Sequence, residues 1–165
     1  MKRDAIGVFD SGMGGLTAVK ELNRILPHEN IIYFGDTARV PYGSRSPETV
    51  WKYAQEDVAF LRKYSVKMII AACGTVSSIV GNRPLVQDMP FTGVIYPTVD
   101  AACAATKTGR IGVIGTPATV RSSSYQNAIL ERNPDLFVIA QACPLFVPLV
   151  EEGWLHDSVT VEVAN

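Results

Sequence analysis

Residues 5–15 read AIGVFDSGMGG: an apolar run from Ala5 to Phe9 ends at Asp10, and a glycine-rich turn follows at once. A short apolar run that is bounded by such a turn is typical of a buried strand. The next segment, Thr17 to Leu26, is longer and more polar, and we predict that it forms a helix. A strand, a tight turn and a helix in this order predict the first βα unit of a parallel sheet.

The same alternation of short apolar runs and longer polar segments continues along the chain. The clearest helix start is Ser46-Pro47-Glu48, which offers an N-cap residue, a proline at the first helical position and an acid in the first turn. The predicted strands are Ala5 to Asp10, Ile31 to Asp36, Val66 to Cys73, Phe91 to Tyr96, Arg110 to Thr116 and Leu136 to Ala142. The predicted helices are Thr17 to Leu26, Glu48 to Tyr64, Val76 to Val80, Val99 to Lys107 and Ala118 to Arg132. We therefore predict an α/β fold that is built on parallel sheets.

A weak internal repeat divides the chain into two parts. The run Ile6 to Ser11 resembles Ile111 to Thr116, which lies 105 residues further on. The repeat predicts two related, doubly wound parallel-sheet domains, residues 1–96 and 97–165, joined near Tyr96-Pro97. On this repeat the second domain would be incomplete, because the 165 residues would end before its third strand. The alternative is that βα units resemble one another in any such fold.

The overall composition limits the classes of function. The 165 residues carry 15 Lys plus Arg against 16 Asp plus Glu, so no broad positive field attracts nucleic acid or an anionic membrane. No stretch approaches the length of a membrane span, and the run Ala5 to Phe9 is too short for the core of a secretory signal. Three separated cysteines without a CxxC pair favour the reducing cytoplasm and suggest no metal site. We expect a small-molecule partner.

Polar residues follow three of the predicted strands, at the edge where ligands bind in open α/β sheets. The first group, Asp10 to Gly15, resembles a phosphate-binding turn. However, Thr17 replaces the third glycine of the dinucleotide spacing, and Asp10 places a carboxylate where the phosphate charge would lie. The second group, Gly35 to Ser44, offers hydroxyls, backbone amides and Arg39, which could bind a carboxylate. The alternative for both groups is an ordinary turn, with Asp10 capping a helix.

Cys73 ends the third predicted strand and precedes a helix of small residues, Val76 to Val80. A thiol at a helix N-terminus meets unpaired amides and the positive end of the helix dipole, both of which favour the thiolate. We therefore expect Cys73 to serve as a base. An isolated cysteine is more often buried and inert, and Cys103, which lies between alanines, fits that description.

Five motifs follow one another along the chain: Asp10-Ser11-Gly12-Met13-Gly14-Gly15-Leu16-Thr17, Gly35-Asp36-Thr37-Ala38-Arg39-Val40-Pro41-Tyr42-Gly43, Ala71-Ala72-Cys73-Gly74-Thr75, Gly115-Thr116, and the stretch from Gln141 to Glu151. In this order they resemble the signatures of the cofactor-independent glutamate racemases of the aspartate/glutamate racemase superfamily. The resemblance spans essentially the whole chain. It implies interconversion of L- and D-glutamate without a cofactor or a metal, supply of D-glutamate for peptidoglycan in a bacterial cytoplasm, and a homodimer.

In this family two cysteines face opposite sides of the substrate α-carbon and exchange the roles of thiolate base and thiol acid. The resemblance assigns the first cysteine to Cys73, a carboxylate near the substrate ammonium to Asp10, and an acid in the other half of the site to Glu151. It further implies that substrate-contacting or neighbouring positions are Ser11, Pro41, Tyr42, Gly43, Gly74, Thr75, Thr116 and Thr119.

The chain departs from the family pattern at two places. Family members usually carry Asn where this chain has Gly74, so one side-chain hydrogen bond to the substrate is missing. The second cysteine belongs to a Gly-Cys-Thr-His motif, which does not occur in the 165 residues, and Cys143 lies in a separate Ala-Cys-Pro motif. We therefore expect these residues alone to racemise glutamate slowly and to be poorly soluble or self-associated. The alternatives are an aspartate racemase or related isomerase, and an inactive dicarboxylate-binding fragment.

Overall fold

A computed structural model describes residues 4–81, 83 and 85–165. In chain order its elements are β1 (Ala5–Asp10), α1 (Leu16–Ile25), β2 (Ile31–Gly35), α2 (Pro47–Leu61), β3 (Val66–Ala71), α3 (Gly74–Val80), β4 (Phe91–Gly93), α4 (Ile95–Ala105), β5 (Arg110–Gly115), α5 (Pro117–Ser122), α6 (Ser124–Arg132), β6 (Phe137–Ala142), α7 (Phe146–Glu151) and α8 (Ser158–Ala164). The first sheet has four parallel strands in the order β2-β1-β3-β4, and the second sheet is the parallel pair β5-β6. The predicted α/β fold with parallel sheets is confirmed.

Strand β1 is central in the first sheet and is buried along its whole length. On one side it pairs with β2, where Asp10 lies opposite Gly35, and on the other side with β3, where Phe9 lies opposite Ala71. Because the strands are parallel, their carboxyl ends meet at one edge of the sheet. This edge carries Asp10 and, just beyond β3, Cys73.

Helix α2 begins where the sequence predicts. The Ser46 hydroxyl accepts the amide hydrogen of Thr49 at 3.2 Å, and Pro47 occupies the first turn. The apolar stripe of the helix is buried in the main core, and its members are Val50, Ala54, Val58 and Leu61. Asp57 lies on the same buried face, although an aspartate side chain is ordinarily ionised at neutral pH.

The second sheet is covered on one face. Ile111 and Val138 pack against a smaller core that α4 and α6 supply. On the opposite face Ile114, Phe137 and Ile139 are 66%, 53% and 62% exposed. This alternation is the period of two that a strand shows when only one of its faces is buried.

The fourth predicted strand, Phe91 to Tyr96, is too long, because β4 ends at Gly93. At that point the Val94 amide donates to the Ser77 hydroxyl at 3.1 Å instead of continuing the sheet ladder. A side chain at Gly93 would also meet Ser77, since an added Cβ would lie 2.6 Å from its Oγ. The chain therefore turns away from β3 and enters a helix.

Two helix predictions are also wrong in detail. Helix α4 begins at Ile95, earlier than the predicted Val99, so the expected domain junction at Tyr96-Pro97 lies within its first turn. The single helix predicted for Ala118 to Arg132 is divided, because Ser123 adopts a left-handed conformation with a φ of 54°. Helices α7 and α8 occupy a region for which the sequence predicts no element.

Within residues 4–81, 83 and 85–165, no helix has the length and apolar character that crossing a membrane would require. The same residues contain no group of three or more His, Cys, Asp or Glu side chains that could hold a metal ion.

Candidate active site

A cleft of about 590 Å³ opens at the carboxyl ends of β1, β3, β5 and β6. Residues of α4, α6 and α7 complete its walls. All eleven residues that the family resemblance assigns to a site line this cleft: Asp10, Ser11, Pro41, Tyr42, Gly43, Cys73, Gly74, Thr75, Thr116, Thr119 and Glu151. The fold brings these residues to one place, while their roles stay predictions.

Cys73 lies at the floor of the cleft and is 5% exposed. Strand β3 ends two residues earlier than predicted, and Cys73 is the N-cap of α3. Its Sγ accepts the amide hydrogen of Val76 at 3.5 Å, and its thiol donates to the Ser11 hydroxyl at 3.4 Å. The thiol is thus fixed in direction from both sides.

Burial, followed by the negative charge of Asp10, raises the pKa of Cys73 to about 11. The hydrogen bonds with Ser11 and the Val76 amide act in the opposite direction, toward the thiolate, but they are weaker. The helix N-terminus favours the thiolate as expected, but burial and Asp10 outweigh its effect. At neutral pH Cys73 is a thiol.

Asp10 ends β1 and is 6% exposed. Its Oδ2 accepts the amide hydrogen of Gly15 at 2.8 Å, so the carboxylate closes the glycine-rich turn. A side chain at position 15 would not fit, because an added Cβ would lie 2.8 Å from the Asp10 Cβ. The carboxylate beside Cys73 therefore has one position and orientation.

Three threonine hydroxyls form a continuous chain along the cleft. Thr75 Oγ1 and Thr116 Oγ1 are 3.0 Å apart, and Thr116 Oγ1 lies 3.0 Å from Thr119 Oγ1. Thr116 also accepts the amide hydrogen of Thr119 at 3.2 Å as the N-cap of α5. This chain joins the first sheet, through α3, to the second sheet, through α5.

The turn at Tyr42-Gly43 packs against the same threonines. The Gly43 carbonyl accepts the Ala118 amide hydrogen at 3.0 Å, and a Cβ at Gly43 would lie 2.5 Å from the Thr116 Cβ. Only glycine allows this close approach. The Tyr42 side chain is fully buried, and its hydroxyl bonds with Asp36 and Asp57.

The predicted use of Arg39 as a carboxylate ligand is wrong. Its guanidinium donates to Asp36 at 2.5 Å, to Asp57 at 3.0 Å and to Glu56. It also lies over the Tyr53 ring, 4.2 Å from the centroid. These internal partners occupy Arg39, which does not line the cleft.

The remaining predicted residues lie at the rim and on the far wall. Glu151 ends α7 and is exposed, and its Oε1 would lie 3.1 Å from a Cβ built at Gly12. Nothing lies within 4 Å of a Cβ built at Gly74, so the cleft has open space there. Cys143 follows β6 and also lines the cleft, whereas Cys103 packs against the smaller core as expected.

Sequence reasoning did not single out Tyr33 or Asp57. The Tyr33 hydroxyl donates to the Gly12 carbonyl at 2.7 Å, and burial together with Asp10 raises its pKa. The burial of Asp57 could have been predicted from the sequence, because helical spacing places it on the apolar stripe of α2, three residues after Ala54. The contact of Tyr33 could not have been predicted in this way, because its partner is a backbone atom from another part of the chain.

No family model matches the sequence. Individual proteins match strongly: the chain is 52% identical over 157 residues to the glutamate racemase of Geobacter metallireducens, covering 94% of this chain and 58% of that protein. Its structure matches glutamate racemase isoform RacE1 of Bacillus anthracis with a TM-score of 0.89 at 40% identity, covering 99% of this chain and 60% of that one. The glutamate racemase of Francisella tularensis, in complex with D-glutamate, matches with a TM-score of 0.88 at 41% identity, over 99% and 62%.

The fold and the cleft define a parallel α/β protein in which a buried thiol and a carboxylate line one cleft at the carboxyl ends of the strands. With such identity over nearly its entire length, the chain belongs to the glutamate racemase family. It spans about three fifths of the length of the relatives that it matches.

Proposed function

We propose that this chain supplies the half of a glutamate racemase site that contains the first catalytic thiol. The observation that carries the proposal is the buried Cys73 Sγ, held by Ser11 and placed in the field of Asp10 within the cleft. Homologues of known activity support glutamate as the substrate. Residues 1–96 and 97–165 would be two related domains that face each other across the cleft.

The proposed reaction is a proton transfer at the glutamate α-carbon. The Cys73 thiolate takes the α-proton, so the C–H bond breaks, an S–H bond forms and the electron pair moves toward the α-carboxylate. A proton that is returned from the opposite face gives the other enantiomer, and no electrons are gained or lost. The thiolate must be correctly oriented, because the α-proton of an amino acid is only weakly acidic.

In the proposed mechanism, substrate binding lowers the high pKa of Cys73. Burial and the charge of Asp10 raise this pKa in the free protein. A substrate ammonium beside Asp10 offsets that charge and adds a positive one, and both changes favour the thiolate. We infer that the base is formed only when an amino acid occupies the cleft.

The hydroxyl chain would hold the α-carboxylate. The hydroxyls of Thr75, Thr116 and Thr119 are fixed by one another along one wall of the cleft. Such donors stabilise negative charge that develops on the carboxylate as the proton leaves. Ser11, Pro41, Tyr42, Gly43 and Gly74 would complete the substrate contacts, and Glu151 would assist the opposite half of the site.

The resemblance assigns the returning proton to a second cysteine in a motif that the 165 residues lack. Cys143 lines the cleft from the second sheet and is the thiol of this chain that could replace it. We propose that no cofactor or metal takes part. In the cell the product would be D-glutamate for peptidoglycan, made by a cytoplasmic homodimer.

Solvent isotope exchange tests this function with the 165-residue chain. One correctly placed base exchanges the α-hydrogen of glutamate with D₂O even where racemisation is slow. We expect deuterium in recovered glutamate, more from glutamate than from aspartate, and unchanged exchange after treatment with EDTA. Binding of glutamate without exchange would instead support the dicarboxylate-binding alternative, and preference for aspartate would support the aspartate racemase alternative.

A further inference from the structure

Four side chains form a closed ring behind the cleft. The Tyr42 hydroxyl contacts Oδ2 of Asp36 and lies 3.1 Å from Oδ2 of Asp57. Arg39 donates through Nε to Asp36 at 2.5 Å and through Nη2 to Asp57 at 3.0 Å. Asp36, Tyr42 and Asp57 are buried, and none of the ring except Tyr42 lines the cleft.

The number of protons in this ring is set by its geometry. The Tyr42 hydroxyl carries one hydrogen but lies within hydrogen-bond distance of two carboxyl groups, so a second hydrogen must come from one of them. Oδ2 of Asp36 accepts from Arg39 and is also the oxygen to which the Tyr42 hydroxyl donates, so the phenol hydrogen is used there. Within the ring, Oδ1 of Asp57 accepts from Arg39, while Oδ2 contacts only the phenol oxygen, so Asp57 is the group that carries the proton.

The ring is connected to the cleft through one turn. Tyr42 is followed by Gly43, whose carbonyl accepts the Ala118 amide hydrogen and whose Cα packs on Thr116. Thr116 is the central member of the hydroxyl chain. A change in the ring would therefore move the threonine wall of the cleft, although Asp57 itself does not line the cleft.

We propose that Asp57 is a positioning residue, which in its protonated form donates to Tyr42 and holds the Tyr42-Gly43 turn against Thr116 in the geometry that binds substrate. The inference rests on the proposed function, because it concerns the same cleft. Asp57 acts through Tyr42 and takes no part in proton transfer at the α-carbon.

The charges around Asp57 determine how the ring responds to pH. Asp36 and Glu56 oppose its ionisation, while Arg39 and the Tyr42 hydroxyl favour it. Burial is the largest influence, and together these effects raise the pKa of Asp57 to about 7. Above this pH a second buried carboxylate faces Asp36, and repulsion should loosen the turn and weaken substrate binding.

The position of the proton can be tested in the 165-residue chain without any activity. At about pH 6 an ordinary carboxyl is ionised, so the infrared C=O band of a protonated carboxylic acid should report the unusual group. We expect this band in the native chain, its loss in Asp57→Asn, and its retention in Asp88→Asn, which changes an exposed acid paired with Arg62. A native chain without the band, or a band that persists in Asp57→Asn, would overturn the proposal.

The positioning role is tested by the affinity for D-glutamate, measured by titration calorimetry between about pH 6 and pH 8.5. The dissociation constant of the native chain should rise roughly tenfold over this range, within the roughly 5–150-fold change that coupling between two sites typically produces. Asp57→Asn keeps a donor but cannot ionise, so its dissociation constant should stay near the native value at low pH. Asp88→Asn should follow the native chain.

Outcomes of this second experiment separate the two proposals. A dissociation constant for Asp57→Asn that rises in parallel with the native one would contradict the positioning role and leave the racemase proposal intact. Absence of glutamate binding at every pH would contradict both, even with the expected infrared band. Steady-state kinetics of a catalytically active chain would separate the two proposals further. The pH dependence that Asp57→Asn removes should appear in KM and not in kcat.

Discussion

The two sheets of this protein are both parallel, but the first sheet is much more deeply buried than the second. In the first sheet β1 is buried at every position, and Cys73, just beyond β3, is 5% exposed. In the second sheet every other residue of β5 and β6 is exposed, and Cys143, just beyond β6, is only partly buried. The comparison shows that a position just beyond a strand does not by itself determine how deeply a thiol is buried, and burial is the largest influence on the pKa of Cys73.

The pKa of Cys73 illustrates this point. Its helix amide and its bond with Ser11 favour the thiolate, yet burial and Asp10 outweigh them. In the proposed mechanism, a cationic substrate beside Asp10 would lower this pKa.

Replacement of Cys73 by serine should reduce α-hydrogen exchange in glutamate by roughly 10²–10⁴-fold, because the base is lost. Cys103→Ala is the matched control, since Cys103 packs against the smaller core and does not line the cleft. Deuterium incorporation measured by mass spectrometry, with circular dichroism to check folding, decides the outcome. Exchange that survives in Cys73→Ser would assign the base elsewhere.

Replacement of Ile69 by alanine should lower the free energy of unfolding by about 2–5 kcal/mol, because Ile69 is completely buried in the first sheet. Ile139→Ala in the second sheet should change it by no more than about 0.5 kcal/mol, because that side chain is 62% exposed. Urea denaturation of both variants measures the contrast. Equal losses would show that the exposed face of the second sheet is covered in solution, as self-association would do.

Two glycines of the cleft should respond to alanine in opposite ways. Gly43→Ala should destabilise the chain by about 1–3 kcal/mol, since its Cβ would overlap Thr116 and the turn would have to move. Gly74→Ala should be neutral or stabilising by up to about 1 kcal/mol, because its Cβ enters open space at the start of α3. Thermal unfolding of the two proteins is sufficient. A destabilised Gly74→Ala would mean that the space beside Cys73 is filled.

The smallest expected effect concerns the charge beside Cys73. Asp10→Asn keeps an oxygen that can accept from Gly15 but removes the negative charge, so the pKa of Cys73 should fall below about 11. Alkylation of Cys73 by iodoacetamide at about pH 8 should therefore accelerate several-fold, with the rate at Cys143 as the internal reference. Slower alkylation of Cys73 in this variant would contradict the electrostatic role of Asp10.

Much of the architecture followed from local patterns. Six apolar runs predicted the six strands, and Ser46-Pro47 predicted the start of α2, because an N-cap and a proline act within one turn. The five motifs also indicated which residues meet in the cleft. The predicted ends of elements were wrong where a residue distant in sequence forms a hydrogen bond at the boundary. Strand β4 ends at Gly93, for example, because the next amide, that of Val94, donates to Ser77.

By itself the sequence determined the α/β class, the order of the elements and the residues that gather around Cys73, since each depends on spacing along the chain or on similarity to relatives. Only the tertiary structure decided that Arg39 is held by Asp36 and Asp57, that Tyr42 directs its hydroxyl to the same acids, and that Cys73 is a neutral thiol. The reason is physical. Ion pairing and desolvation depend on distances between groups that are far apart in sequence, and those distances exist only once the sheets have formed.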